Sequence, residues 1–508
     1  MFDFLHFHES HPPLFYALVR VWMLLFGATD TAVRAFCALS GAAIVPAVYV
    51  AGSRLFSKRA AVVAALLATF SPALNEHSTQ IRPYGLMALL TLVSCYWMLR
   101  AIERRRRADW AIYIAATLLL LYTHNWAWLI AIGQNTAFVL IALRDQRAQL
   151  KSIAAAWLYS WMIIGIGILP WASALLYQVQ NAGHAGVYVN GVVAAFELLI
   201  FGIFSSVQTL FLGRIVYPAL VAVVGTVAAT ACAIAAAKIQ RDRSAGAEAS
   251  DVMIPGMRPG ALVAIVIATI TAAILLSPVS NQLLARCIAT LIPLVALAAG
   301  QWIVSLWTGV DRVRFAPVFA AATLTFVIAA GVIDVFGIAN DPRSNAREVA
   351  HGIKQNTTSS DLLIVAPEWF APSFNHYFPR SIEQIDFPYR SRSGLIDFSD
   401  VWKRAADPER LAQLTTRLVQ ASASGRRVWL VSEVRYLHGV TDNAVRQAEL
   451  EKDPAPYAML RVAQIRATLE RLYGQPDSLR VGPDTPALYD NLRAYLYSRR
   501  SAGGLSQR

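Results

Sequence analysis

Long apolar blocks alternate with short basic breaks along most of this chain, and that rhythm predicts its architecture. Runs such as Ala111–Leu121 carry no polar group beyond the hydroxyls of Tyr113 and Thr117, and blocks of this kind form helices that cross a bilayer. Spans are predicted over Val33–Gly52, Ala60–Leu74, Pro83–Ala101, Trp110–Tyr122 and Asn125–Leu143. Five more follow over Ser152–Tyr177, Ile215–Ala237, Ala261–Ser277, Ala285–Ser305 and Ala316–Ile338. The total is about ten, several of them near the lower limit of roughly 17 residues for a crossing. Two further apolar stretches, Pro12–Phe26 with Arg20 in mid-run and Val192–Leu212, are predicted to lie along the outer interface. Counting either as a span would put a basic loop on the wrong side of the membrane.

Beyond Ile338 the pattern changes. Charged residues become frequent, with Pro and Gly punctuation. Asp361–Pro367 and Arg427–Glu433 read as short buried strands, while Arg343–Lys354, Pro408–Ala423 and Tyr457–Tyr473 have helical spacing. The predicted fold is therefore an α-helical polytopic membrane protein over residues 1–338, followed by a small α/β domain over 339–508. Span parity places that domain outside the cytoplasm, which in a bacterial inner membrane is the periplasm.

Composition agrees. Of 508 residues, 56% are hydrophobic and 15% charged, against about 25% charged in an ordinary soluble domain. The formal charge of +13 could suggest nucleic acid, but its placement excludes that partner. Basic residues cluster between apolar blocks, at Arg54/Lys58/Arg59, Arg104–Arg107, Arg144/Arg147/Lys151, Lys238/Arg241/Arg243 and Arg312/Arg314. Such clusters mark cytoplasmic loops. Cys37, Cys95, Cys232 and Cys287 lie in apolar segments without paired spacing and read as packing residues.

The isolated polar residues gather on the opposite, outer side. Met1–His11 would lie outside with no span to carry it there and no signal-peptide pattern, so an apolar helix encoded upstream is expected. Within that stretch, Asp3, His6, His8, Glu9 and His11 precede Pro12-Pro13. The H-x-H spacing lacks companion ligands, so a resident metal is not indicated. A second cluster is Glu76-His-Ser-Thr-Gln80-Ile-Arg82-Pro83-Tyr84. Pro83 suits the first turn of a helix, which puts Arg82 at its mouth, and a guanidinium there matches phosphate oxygens. A headgroup anchor is the competing role. His124 sits between Tyr122 and Trp126, where an interface histidine is as reasonable as a functional one. Arg286 opens an apolar block from the outer side, where an anionic lipid phosphate would be a natural partner.

Taken in order, these pieces resemble a known family. His11-Pro-Pro-Leu-Phe-Tyr16 with Phe26-Gly27 and Arg34 resembles the H-P-P-L-Y-Y…F-G…R pattern of bacterial membrane glycosyltransferases of the GT-C superfamily. Within it, family 39 contains the protein mannosyltransferases and their relatives, the rhizobial lipopolysaccharide galacturonosyltransferases and the aminoarabinose transferase. Ser71-Pro72…His77-Ser-Thr-Gln80-Ile-Arg82-Pro-Tyr84 is similar to that group's S-P…Y-S-Q-E-A-R-x-Y, and Leu121–His124, Leu169-Pro-Trp171 and Arg286…Pro293 fall where the family has comparable elements. The likeness covers about residues 8–300.

The resemblance implies a polyprenyl-phosphate-sugar donor, an acceptor of the cell envelope on the outer face, and inversion at the anomeric carbon. It also implies a carboxylate as general base and cationic groups on the leaving phosphate. His11, Arg82 and Arg286 fit the second role, with Tyr84 positioning them and Gln80 and His124 alongside. Gln80 stands where the pattern often has Glu, and the family's acidic pair follows a first span that would precede Met1. The base is therefore expected among Asp3, Glu9 and Glu76. A transporter or flippase of lipid-linked sugars is the second reading, although transporters often show paired repeats and broken midplane helices, and none is visible here. A scaffold with a binding domain outside is a distant third.

Overall fold

The computed structural model describes residues 11–144, 147–181, 257–276, 289–308, scattered positions between 318 and 336, 344–378, 382–388, 401–433, 436, 454–479 and 492–498. The chain folds as two compact units, residues 1–180 with 186–339 and residues 181–185 with 340–508.

In the first unit the described elements are helical: α1 (Leu14–Phe26), α2 (Asp30–Ala42), α3 (Ile44–Leu55), α4 (Lys58–Thr69), α5 (Pro72–Ser78), α6 (Tyr84–Arg104), α7 (Arg107–Leu121), α8 (Ala127–Arg144), α9 (Arg147–Asn181), α10 (Met257–Leu276) and α11 (Ile292–Thr308). Helices pair as sequence neighbours, α3 with α4 and α6 with α7, and across the chain, α8 with α10 and α4 with α11. Small residues allow the closest crossings. A Cβ on Gly133 of α8 would stand 2.6 Å from the Ile265 carbonyl oxygen of α10, and one on Gly300 of α11 would stand 2.7 Å from that of Ala60 in α4.

Three stretches among the described residues are long and apolar enough to cross a membrane: Asp30–Leu55, Tyr84–Arg104 and Ser152–Tyr177. The outward faces are apolar, as lipid contact requires; Leu158, Ile166, Leu169 and Leu176 of α9 are all at least 60% exposed. Buried polar groups pair inside. Gln134 Nε2 donates to Ser94 Oγ at 2.7 Å, Ser94 and Thr117 share a 2.8 Å hydrogen bond, and Tyr113 Oη donates to Gln134 Oε1 at 3.3 Å. Trp157 Nε1 donates to Asn135 Oδ1 at 3.1 Å, joining α9 to α8.

Two expected spans differ from the helices observed. Val33–Gly52 falls within the Asp30–Leu55 stretch, which is kinked at Ala43 between α2 and α3. Pro46 has no N–H to return to the Ala42 carbonyl, and its ring crowds that carbonyl. Ala60–Leu74 also stops early, at Thr69. Ser71 then caps a new helix by accepting from Leu74 N at 3.4 Å, with Pro72 in its first turn. The stretches Ile215–Ala237 and Val192–Leu212 lie outside the described residues. So do Cys232 and Cys287, while Cys37 and Cys95 are free thiols buried among helices.

Among its described residues the second unit has a five-stranded sheet in the order β2-β1-β3-β5-β4. Its strands are β1 (Leu362–Val365), β2 (Glu383–Asp386), β3 (Val428–Glu433), β4 (Asp477–Leu479) and β5 (Leu492–Tyr497). β1 runs parallel to β2 and to β3, with Val365 opposite Asp386 and Val431, whereas β5 is antiparallel to β3 and β4. Helices α12 (Ala346–Asn356), α13 (Ala371–Tyr377), α14 (Val401–Ala406), α15 (Pro408–Ala423) and α16 (Pro454–Tyr473) complete it. β1 and β3 are buried along their whole length, as central strands covered on both faces must be. Asp361, just before β1, is wholly buried and accepts hydrogen bonds from Thr357 Oγ1, Thr358 N and Oγ1, Arg427 Nε and Nη2, and Trp429 Nε1. Burial acts to raise its pKa, but the bonds from Arg427, Thr358 and Trp429 outweigh it and hold the carboxyl down to about 2.

Candidate functional site

The polar cluster between α5 and α6 is built by local sequence. Ser71 and Pro72 start a helix too short to bury much by itself, and Asn75 secures its start by donating to the Thr69 and Ser71 carbonyls, both at 2.9 Å. Gly41 of α2 lets this helix come close, since a Cβ there would overlap the Ser78 side chain. Arg34 of α2 reaches the end of α5, with Nη1 donating to Thr79 O at 3.1 Å. The chain then turns through Gln80–Pro83, with Arg82 N bonded to Gln80 O at 2.8 Å, and enters α6 at Tyr84.

Within this cluster Glu76 is buried, and its Oε1 accepts from Gln80 Nε2 at 3.3 Å. His77 is buried too, its ring 5.2 Å from that of Tyr84. Arg82 is exposed at the mouth of α6. A guanidinium at that position is open to an incoming anion, and the first-turn N–H groups of α6 add positive potential beside it.

Two distant segments join it. His11 precedes Pro12-Pro13, and the chain enters α1 with Leu14 N donating to the Tyr122 carbonyl at 3.0 Å. That backbone bond fastens the start of α1 to the turn between α7 and α8. The same turn is tied to α9, where Tyr122 Oη donates to Gly167 O at 2.8 Å. His124, in the turn, lies with its ring 4.7 Å from that of His11 in an edge-on arrangement and 5.5 Å from that of Tyr84. Arg82 is near enough for its charge to act on His124. Segments separated by more than a hundred residues thus deliver two imidazoles, a phenol and a guanidinium to one place.

Of the residues singled out by sequence, the structure unites His11, Tyr84 and His124 by ring contact, places Arg82 within electrostatic reach of His124, and pairs Glu76 with Gln80 in the adjoining turn. Asp3, Glu9 and Arg286, with His6 and His8, lie outside the described residues. His77 was not singled out, although it stands inside the same motif. Its signal was the seven-residue step to Tyr84 across the turn, which sequence alone does not convert into contact. Among the described residues, no three His, Cys, Asp or Glu side chains gather as a metal-binding group.

Comparison with known proteins bears on this geometry. Residues 10–173 match the family described as dolichyl-phosphate-mannose-protein mannosyltransferase, and that range includes all three segments of the cluster. ArnT from Cupriavidus metallidurans in the apo state superposes with a TM-score of 0.53 at 14% identity, covering 96% of this chain and 88% of that one. The chain shares the fold of that ArnT. The same ArnT bound to undecaprenyl phosphate matches with a TM-score of 0.51 at 13% identity, over 96% of this chain and 88% of that one. The oligosaccharyltransferase of Archaeoglobus fulgidus in the apo form matches with a TM-score of 0.52 at 15% identity, covering 88% of this chain and 64% of that one. A search of curated protein sequences gives no match. Three helical stretches among the described residues are long and apolar enough to cross a membrane, in keeping with the ArnT fold.

Proposed function

We propose that this protein is a membrane glycosyltransferase that moves a sugar from a polyprenyl-phosphate carrier to a hydroxyl of a cell-envelope acceptor, with inversion. The observation that carries the reading is the convergence of His11, Arg82, Tyr84 and His124 from three segments into one cluster. An ArnT of the same fold holding undecaprenyl phosphate supports the choice of carrier.

The chemistry asks little else of the protein. The acceptor oxygen attacks the anomeric carbon and forms the new glycosidic bond. The bond from that carbon to the phosphate oxygen breaks, and its electron pair leaves with the lipid phosphate. Arg82 and His11, joined by Arg286 from the second half of the unit, stabilise the charge growing on that phosphate. A carboxylate takes the proton from the acceptor hydroxyl; Glu76 is the described one, with Asp3 and Glu9 as the others. The active face is the outer side of a bacterial inner membrane, and residues 339–508 form a periplasmic domain.

The test uses the intact protein in detergent, incubated with radiolabelled polyprenyl-phosphate sugars and a membrane extract as acceptor. Label passing to the extract, and lost with Arg82→Ala, supports transfer. If no label moves while the labelled donor crosses liposomes containing the protein, the transport reading replaces this one.

A further inference from the structure

His124 is only 3% exposed, yet its two ring nitrogens have unequal fates. Nδ1 lies 3.0 Å from the backbone nitrogen of Trp126. An amide N–H can only donate, so Nδ1 accepts, and a neutral ring then carries its proton on Nε2. That Nε2 is buried and has no hydrogen-bond partner among the described residues. A buried N–H left unmet is costly, and native structures leave few of them without a reason. Rotating the ring offers no escape. A half-turn would put a C–H in place of Nδ1 and break the Trp126 bond, while the His11 and Tyr84 rings, at 4.7 and 5.5 Å, flank the imidazole.

The unmet group is a donor only, set beside the Arg82 guanidinium, whose charge acts on the same ring. A donor amid positive charge is suited to an oxyanion and poorly suited to another cation or to an apolar group. We propose that the Nε2–H of neutral His124 donates a hydrogen bond to a phosphate oxygen of the lipid carrier, which makes His124 a phosphate-binding residue and not a packing histidine. This rests on the glycosyltransferase reading above and adds to it a specific atom. Because the ring is uncharged, it adds direction without a further positive charge. Arg82 supplies attraction from an exposed position, whereas His124 fixes where the oxygen sits.

Glutamine and asparagine separate the two ring nitrogens. The amide nitrogen of Gln reaches about where Nε2 stands, and that of Asn about where Nδ1 stands. Binding of tritiated undecaprenyl phosphate to the intact, detergent-solubilised protein is measured for the unaltered chain and for His124→Gln, His124→Asn and His124→Phe, each checked for a monodisperse size-exclusion profile. The expected result is a roughly tenfold or larger rise in Kd for His124→Asn and His124→Phe, with His124→Gln within about threefold of the unaltered chain. Equal weakening by Gln and Asn, or no weakening by any of the three, overturns the assignment while leaving the carrier reading intact. Failure of the unaltered chain to bind the probe overturns the carrier reading itself, and the assignment with it.

Discussion

His124 in the helical unit and Asp361 in the α/β unit are both buried polar groups, and they are satisfied in opposite ways. Asp361 receives six hydrogen bonds from Thr357, Thr358, Arg427 and Trp429. Nothing on the carboxylate remains for a ligand. His124 spends one nitrogen on its own turn and keeps the other unmet. The difference separates structure from function: a saturated buried charge fixes a fold, while an unsaturated polar group held rigidly is prepared for something that arrives later. Asp361 joins β1 to β3 through Arg427 and Trp429, so its loss is a loss of stability. Arg82, exposed beside His124, can change with little effect on stability.

The largest expected effect tests that second half. Arg82→Ala should lower sugar transfer by about 100-fold or more while leaving the thermal unfolding midpoint of the intact protein within about 1 °C, because Arg82 is exposed. A large drop in the midpoint would break the comparison. Asp361→Ala should do the reverse. It removes the partner of Arg427 and Trp429 at a wholly buried position and should destabilise the α/β unit by about 3 kcal/mol, read as an earlier transition in a thermal melt.

The same carboxylate makes a pH prediction. Its folded pKa of about 2 lies below the ordinary value of roughly 3.9, so folding favours the ionised form. That contribution is complete above about pH 4 and disappears as pH falls towards 2. Asp361→Asn should flatten the acid limb of a stability–pH curve over that window. In the helical unit, Gly133→Ala should cost about 1–3 kcal/mol, because its new methyl would meet the Ile265 carbonyl oxygen. Gln134→Leu should cost least, about 1 kcal/mol. It removes the interhelical bonds to Ser94 and Tyr113, but Ser94 keeps Thr117.

The sequence made the long elements plain. Helices α6, α8 and α9 stand within a few residues of where apolar runs placed them, and α15 spans Pro408–Ala423 as its spacing predicts. The two buried strands were legible because Leu-Leu-Ile-Val and Val-Trp-Leu-Val-Ser-Glu are short apolar runs with polar borders. β2, with the polar sequence Glu-Gln-Ile-Asp, was not, since an edge strand needs little apolar content. The kink at Ala43 and the stop at Thr69 were hidden for another reason: Pro46 and Pro72 interrupt the backbone without interrupting the hydrophobic pattern. At the site, residue types pointed to His11, Arg82, Tyr84 and His124 one by one. Their meeting did not show, because contact between residues 11, 84 and 124 depends on how the helices pack, and each segment's sequence reads the same whether or not the others approach.

The bond from Leu14 N to the Tyr122 carbonyl is made by backbone alone, and it bridges the two segments that bear His11 and His124. That bond needs neither side chain. A descendant of this protein could exchange either imidazole for a different polar group and inherit the spacing unchanged. A change of carrier or of sugar would then require new tenants on the same two posts, and no rebuilding of the frame that sets them apart.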